Sequence, residues 1–173
     1  MKKQIAIVIL LVILVANCFA FTSCSDDGLE YTLSADGTYT VTGVKNMGVT
    51  NIVIPTEYKG VLVTRIGDHA LSCLNNLESV IIPWSIISIG DGALSQCISL
   101  EYVTIPWSVT FIGRGAFANC FALTGVNFEE SNGWYVTKTK GATSGISINV
   151  FDAYDSAPYI TGTYSDYYWY RTN

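Results

Sequence analysis

The chain has 173 residues, half of them hydrophobic and 13% charged, and its 14 Asp and Glu outweigh 9 Lys and Arg to give a formal charge of −5. A chain of this length carries one domain with enough material for a real core. Its acidic balance, with no basic run, argues against a nucleic-acid partner and against attraction to anionic lipid.

Met1-Lys2-Lys3-Gln4 precedes an unbroken apolar run from Ile5 to Ala16, the charged and apolar regions of an export signal. The apolar stretch resumes after Asn17 and reaches Phe21, so an uncleaved membrane anchor is the alternative. Cleavage is favoured because the uninterrupted part is shorter than the roughly 20 residues a spanning helix needs. Phe21-Thr22-Ser23-Cys24 resembles the lipobox of bacterial lipoproteins, with Phe21 where that motif usually carries Leu or Val. The resemblance implies that residues 1–23 are removed and that Cys24 becomes the lipidated first residue; Cys18 is a poorer candidate because Asn17 precedes it. Two or three acyl chains would anchor stably, since each buried CH₂ contributes about 0.8 kcal/mol. The plain alternative is a free cysteine just past an ordinary cleavage site. Loss of the leader removes Lys2 and Lys3, leaving seven basic against 14 acidic residues, a net charge of −7. Ser25-Asp26-Asp27 then reads as a solvated tether, and is also similar to the surface-export signals of some lipoproteins.

Leu29-Glu30-Tyr31-Thr32-Leu33 and Tyr39-Thr40-Val41 alternate at the strand period around Ala35-Asp36-Gly37, which predicts a β-hairpin. Residues 24–53 are therefore expected to be the tether and an N-terminal cap. Past them a 23-residue echo sets in: Ile66-Gly67, Ile89-Gly90 and Ile112-Gly113; Ala70-Leu71, Ala93-Leu94 and Ala116-Phe117; Leu77, Leu100 and Leu123; Val80, Val103 and Val126. Self-similarity at this period predicts a solenoid of about three coils whose parallel strands place like residues in ladders, with Ile82, Ile105 and Phe128 as a further one. Within a coil, Leu100-x-x-Val103-x-Ile105 faces a short strand inward, Pro106 ends the pairing, Val109 and Ile112 turn inward, and Gly113 is expected to permit a tight bend. Ala116-Phe117 and Cys120 close the circuit through an irregular or helical turn. Ile54 to Ile66 spans 12 positions where Ile82 to Ile89 spans 7, so the residues around Tyr58-Lys59-Gly60 should protrude from the first coil.

Ile82-Pro83, Ile86, Ile89-Gly90, Ala93-Leu94, Cys97, Leu100, Val103 and Ile105-Pro106 resemble the repeat of the BspA-like leucine-rich-repeat family, over residues 54–128. Leu71 and Leu94 replace the family's usual phenylalanine, which Phe117 keeps. The resemblance implies a mainly β leucine-rich-repeat solenoid with short helical turns, and adhesion to host matrix proteins or other cells.

Residues 129–173 change character, with Trp134, Tyr135, Tyr154, Tyr159, Tyr164, Tyr167, Tyr168, Trp169 and Tyr170 among Thr, Ser and Gly. Gly133-Trp134-Tyr135-Val136 and Ile146-Ser147-Ile148-Asn149-Val150 read as strands joined by residues 140–145. A β cap over the last coil is favoured over a tyrosine binding surface, because so large an exposed aromatic cluster would be sticky.

Catalytic signals are scarce. His69 is the single histidine and no motif places a nucleophile beside it; Asp91, Glu101, Glu129 and Glu130 have no pairing spacing; no phosphate loop or metal-spaced cluster is present. No enzyme, no cofactor and no metal are expected. Cys97 and Cys120 should be neighbours on adjacent coils; a disulfide is conceivable, and buried free thiols are favoured because Leu74 holds the matching first-coil position. Trp84 and Trp107, each after a proline and 23 apart, should stack one above the other, either as a platform for sugar rings or an apolar partner or packed on the Tyr58 loop or the C-terminal cap. Ser79, Tyr102 and Gly125, with Ile81, Thr104 and Asn127, should line the exposed sheet face, the usual recognition surface of repeat proteins. Trp84, Trp107, Tyr102, Thr104 and Asn127 are therefore the candidate binding residues, and Cys24 the candidate lipid attachment. The leading expectation is a lipid-anchored, surface-exposed adhesin for an extracellular protein or glycan. A glycan-binding accessory lipoprotein built on the tryptophans and a structural envelope protein without ligand are the alternatives.

Overall fold

The computed structural model describes residues 27–148, 150 and 157–172; the leader, Cys24 and Tyr154 lie outside them. Two parallel ladders carry the fold. After the antiparallel hairpin of β1 (Leu29–Leu33) and β2 (Tyr39–Val44), the chain enters β3 (Asn51–Val53), β4 (Glu57–Tyr58), β5 (Val61–Ile66), β6 (Ser79–Ile81), β7 (Ser88–Ile89), β8 (Tyr102–Ile105), β9 (Phe111–Ile112) and β10 (Gly125–Phe128). One ladder stacks β2, β5, β7 and β9 in parallel; the other stacks β3, β6, β8 and β10. Register follows the repeat, with Ser79 opposite Tyr102 and Tyr102 opposite Gly125.

Like side chains consequently meet in layers between the two sheets. Leu77, Leu100 and Leu123 are buried, as are Val80, Val103 and Val126, and Ile82, Ile105 and Phe128. Each such side chain contributes about 1.5–3 kcal/mol by leaving water, and no coil could bury its face alone. The parallel stack has four rungs, one more than the sequence echo predicts, and it begins before residue 54: Val41 stands opposite Ile66 and Ile52 opposite Val80. The extra residues of the first coil form a β4–β5 hairpin, turned at Lys59 (φ 54°) and Gly60 (φ 76°) as a two-residue hairpin with both central residues at positive φ requires.

The third side of each coil is a series of turns rather than a helix. His69 N–H donates to Asp91 O (2.9 Å), Leu71 N–H to Ala93 O (2.8 Å) and Cys73 N–H to Ser95 O (2.8 Å), and the next coil repeats this with Gly92, Leu94 and Gln96 donating to Arg114, Ala116 and Ala118. The first and last donors of each run have left-handed backbone, at His69 and Cys73 and at Gly92 and Gln96, and the last coil repeats the pair at Gly115 and Asn119. The conserved spacing of Ile-Gly has a different cause from the tight bend expected of it. A Cβ on Gly113 would fall 2.5 Å from the Gly90 carbonyl carbon, and one on Gly90 would fall 2.6 Å from Asp68 N, so these glycines exist because the preceding coil's backbone passes there.

Two side-chain ladders reinforce the stack. Asp68 Oδ1 accepts the Asp91 N–H (2.8 Å) and Asp91 Oδ1 accepts the Arg114 N–H (3.1 Å). Cys97 and Cys120 are buried free thiols, each donating to a carbonyl of the preceding coil, Leu71 and Leu94, at 3.1 Å. Contact with Cys97, and burial, push the Cys120 thiol well above its ordinary value.

Both ends of the first ladder are closed. At the N-terminal end Tyr58 stacks on Tyr31 (ring centroids 4.1 Å apart) and meets Tyr39 edge-on. At the other end β11 (Trp134–Thr137) and β12 (Ile146–Ser147) pair as the sequence predicts, but neither pairs with a strand of the solenoid. A strand absent from the sequence reading, β13 (Tyr168–Arg171), inserts antiparallel between β9 and β11 after a short π-helical segment, Tyr159–Thr163. Trp134 and Trp169 are buried against Phe128, which favours packing over binding for these rings.

Candidate functional site

The outward face of the four-stranded sheet gathers the residues that repetition singles out. Alternation along a strand puts Val103 and Ile105 in the core and leaves Tyr102 and Thr104 outside. Parallel register then sets Gly125 beside Tyr102 and Asn127 beside Thr104. Tyr102 is 42% exposed and its ring lies across Gly125, where any Cβ would sit 2.5 Å from the ring. Glycine at 125 is thus the seat of the tyrosine. On the far strands Ser79 Oγ donates to Asn51 Oδ1 (2.6 Å), and Val53 remains exposed.

Trp84 and Trp107 owe their exposure to the corner they occupy. Each follows the proline that ends its strand, and a turn closes behind it, with Ile86 N–H donating to Pro83 O (3.1 Å) and Val109 N–H to Pro106 O (3.0 Å). The residue after the proline is carried outward by that turn, and the two indoles are 57% and 58% exposed. Among the ring contacts of the described residues none joins Trp84 to Trp107 or either to Tyr58, so the expected stacking is not seen and the Tyr58 ring is spent on Tyr31 and Tyr39. Glu129 accepts the Trp107 N–H (3.1 Å), and Arg171 of the cap donates to the Trp107 carbonyl (2.5 Å).

The surrounding charge is mainly negative. Segments 75–87, 98–110 and 121–132, which carry three of the four strands and their corners, contain Glu78, Glu101, Glu129 and Glu130 and no Lys or Arg, whereas the β3 segment adds Glu57 and Lys59 and the cap brings Arg171 to the Trp107 corner. Hydrogen bonds from Asn132, aided by the Arg171 charge, hold the Glu130 carboxyl below the usual carboxylate range. His69 lies elsewhere, on the turn side of its coil. Two depressions near the C-terminal end, one lined by Leu123, Thr124, Ala157, Pro158 and Thr161 to Thr163, the other by Trp134, Tyr135, residues 143–145, Ser147 and Ile148, contain no His, Cys, Asp or Glu. Among the described residues no cluster of three or more His, Cys, Asp and Glu could hold a metal, and no helix is long and apolar enough to cross a membrane.

Sequence reasoning missed the acceptor roles of Asp68 and Asp91, although Ile-Gly-Asp recurs at the repeat interval and signals them. It also missed Arg171, whose position depends on the unforeseen β13.

The family described as BspA type Leucine rich repeat region matches residues 14–140 in six copies. Among solved structures, a leucine rich cell surface protein from Faecalibacterium prausnitzii is 33% identical with a TM-score of 0.52, over 61% of this chain and 30% of that one. The leucine rich repeat protein of T. pallidum is 17% identical with a TM-score of 0.48, over 62% of this chain and 64% of its own. A leucine-rich repeat protein from Bacteroides capillosus is 21% identical with a TM-score of 0.43, over 64% of this chain and 100% of its own. This chain therefore spans under a third of the first of these proteins and just under two thirds of the second. No curated protein matches it.

Proposed function

From the chain's membership of the BspA-type leucine-rich-repeat family, we propose that it is an exported, lipid-anchored binding protein of the bacterial cell surface, holding host or envelope macromolecules against its repeat scaffold. The observation that carries this reading is the outward sheet face and its corner, where Tyr102, Trp84 and Trp107 stand exposed; among the described residues Phe121 and Tyr159 are the other exposed aromatics. A surface of this kind rimmed by polar groups marks an interaction site. The F. prausnitzii protein that resembles it carries the description of a cell surface protein, which supports the address. The proposed role is binding, in keeping with the repeat-scaffold family, and the described linings of the two depressions hold no His, Cys, Asp or Glu. A small face gives modest affinity per copy, and many copies on one cell act together.

Immobilised wild-type protein should retain matrix proteins or whole cells; retention of nothing from a panel of matrix proteins, glycans and cells overturns the reading. Incorporation of a palmitate analogue that is lost in Cys24→Ala tests the anchor separately. The exposure of Trp84 and Trp107 favours one second reading, a neutral-glycan platform, for which polysaccharide retention that disappears in the Trp84→Ala, Trp107→Ala double variant is the check.

A further inference from the structure

We infer that the outward face of the β3–β6–β8–β10 sheet docks a short, arginine-bearing basic segment of a partner polypeptide, whose guanidinium groups lie over Trp84, Trp107 and Tyr102 and face Glu78, Glu101 and Glu129. The inference rests on the binding role proposed above and names the partner's chemistry.

Three observations lead to it. First, the chain places its own cations over three partly or fully buried tyrosine rings: Lys59 over Tyr58, Lys138 over Tyr167, and Arg114 and Lys140 over Tyr168. Tryptophan is the better ring for such a contact, yet among the described residues no cation of this chain lies over Trp84 or Trp107. Second, several of the chain's cations already have partners. Arg65 pairs with Asp36, Lys138 with Asp166 and Lys140 with Asp91, while Arg171 is held on the Trp107 carbonyl. Third, the three segments that carry β6, β8 and β10 hold four carboxylates and no Lys or Arg, and Glu57 with Lys59 beyond β3 and Arg171 at the Trp107 corner leave the balance negative, which complements a cationic partner.

Arginine suits the arrangement better than lysine, because its planar guanidinium stacks on an indole while its edge donates to a carboxylate. Four strands at about 4.8 Å span roughly 14 Å, and the five steps from Tyr102 to Trp107 add about 16 Å along the strand, so about six extended residues cross the face diagonally. The partner element is therefore short. A neutral glycan would use the same rings and gain nothing from the carboxylates of these segments.

The test uses fluorescence anisotropy with labelled peptides of alternating Gly and Arg, the Gly-Lys peptide of equal charge, a neutral Gly-Ser peptide, and a neutral β-1,4-linked hexasaccharide. The Gly-Arg peptide should bind, the Gly-Lys peptide several-fold more weakly, and the Gly-Ser peptide and sugar not at all. Affinity should fall with added salt. Trp84→Ala with Trp107→Ala should lose roughly tenfold, in line with desolvated cation–π contacts. Glu78→Gln with Glu101→Gln should lose several-fold, whereas Glu30→Gln on the N-terminal hairpin should stay within twofold of wild type. An unchanged melting temperature checks that the tryptophan variant folds; if it does not, Trp84→Phe with Trp107→Phe and the Glu78/Glu101 pair carry the comparison.

Equal losses in Glu30→Gln and Glu78→Gln/Glu101→Gln, with the tryptophan variant unaffected, would reduce the effect to net charge and overturn the inference. So would hexasaccharide binding without peptide binding. Capture of matrix proteins that survives the tryptophan substitutions refutes this docking face and leaves the surface-binding role standing; failure of all capture by wild type refutes the role itself.

Discussion

Gly113→Ala is the sharpest probe of how the coils lie on one another. The added Cβ would fall 2.5 Å from the Gly90 carbonyl carbon and closer still to Asp91 N, and both are backbone atoms that cannot swing aside as a side-chain tip can. Relief requires the last two coils to separate there, which strains two bonds at that point, Gly113 N–H to Ile89 O (2.8 Å) and Arg114 N–H to Asp91 Oδ1 (3.1 Å). Overpacking costs about 1–3 kcal/mol and each lost hydrogen bond about 1 kcal/mol, so the variant should be destabilised by about 3–5 kcal/mol. For a chain of this size about 1 kcal/mol moves the melting temperature by 2–4 °C, giving a fall of roughly 6–20 °C. Gly162→Ala is the control, because a Cβ there meets nothing within 4 Å; its melting temperature should stay close to wild type. Calorimetry on the two variants decides the matter. A Gly113→Ala protein melting within a degree or two of wild type would show that the Ile-Gly signature does not arise from backbone crowding between coils.

Gln96 is exposed and held at φ 62°, a region that costs a side-chain-bearing residue about 1 kcal/mol, so Gln96→Gly should melt a few degrees higher and Gln96→Val lower; the reverse order would contradict the left-handed turn. The Arg65 guanidinium and Thr38 hold the Asp36 carboxyl well below the usual carboxylate range. A carboxyl depressed in the fold stabilises it above its unfolded value of about 4 and loses that contribution as pH falls through the folded value. Asp36→Asn should therefore flatten the acid limb of the stability curve, and parallel limbs for variant and wild type would refute the pairing. Trp169→Ala removes a fully buried ring that stacks on Phe128 and meets Trp134 edge-on; a loss of about 3–5 kcal/mol is expected, together with concentration-dependent aggregation by light scattering as the edge of β9 opens.

Most of the solenoid was legible because it is written three times. Ile66, Ile89 and Ile112 occupy one position in three copies, and a residue type that recurs at a fixed interval reports its surroundings more reliably than a single residue does. The first rung escaped notice for the converse reason. Val41 and Ile52 fill the same ladder positions, but the five-residue β4–β5 insertion breaks the interval and no Ile-Gly accompanies them. Strand β13 escaped because Tyr168 to Arg171 pairs with β9, some 60 residues back, and nothing in a run of tyrosines distinguishes a cap strand from an exposed cluster. For the candidate site the pattern was half sufficient. Alternation placed Tyr102, Thr104 and Asn127 outside, whereas the seat of the Tyr102 ring on Gly125 and the turn that turns Trp84 and Trp107 outward depend on side-chain volume and hydrogen bonds that spacing does not encode.

The two ladders are finished differently, and that difference directs attention to one face. The ladder of β2, β5, β7 and β9 is extended at both ends, by β1 and by β13, and the cap over its last strand also draws in Arg114, Lys138 and Lys140 through their tyrosine contacts. A face so treated has its rings covered and its charges paired. The four-stranded ladder, among the described residues, gains no further strand at either end and keeps its aromatic corners in water. Indoles left 57% and 58% exposed contribute little to the core and raise the risk of unwanted association. The proposed ligand would account for their exposure, and the Trp84/Trp107 variant separates that explanation from a packing role: binding should fall while the melting temperature holds.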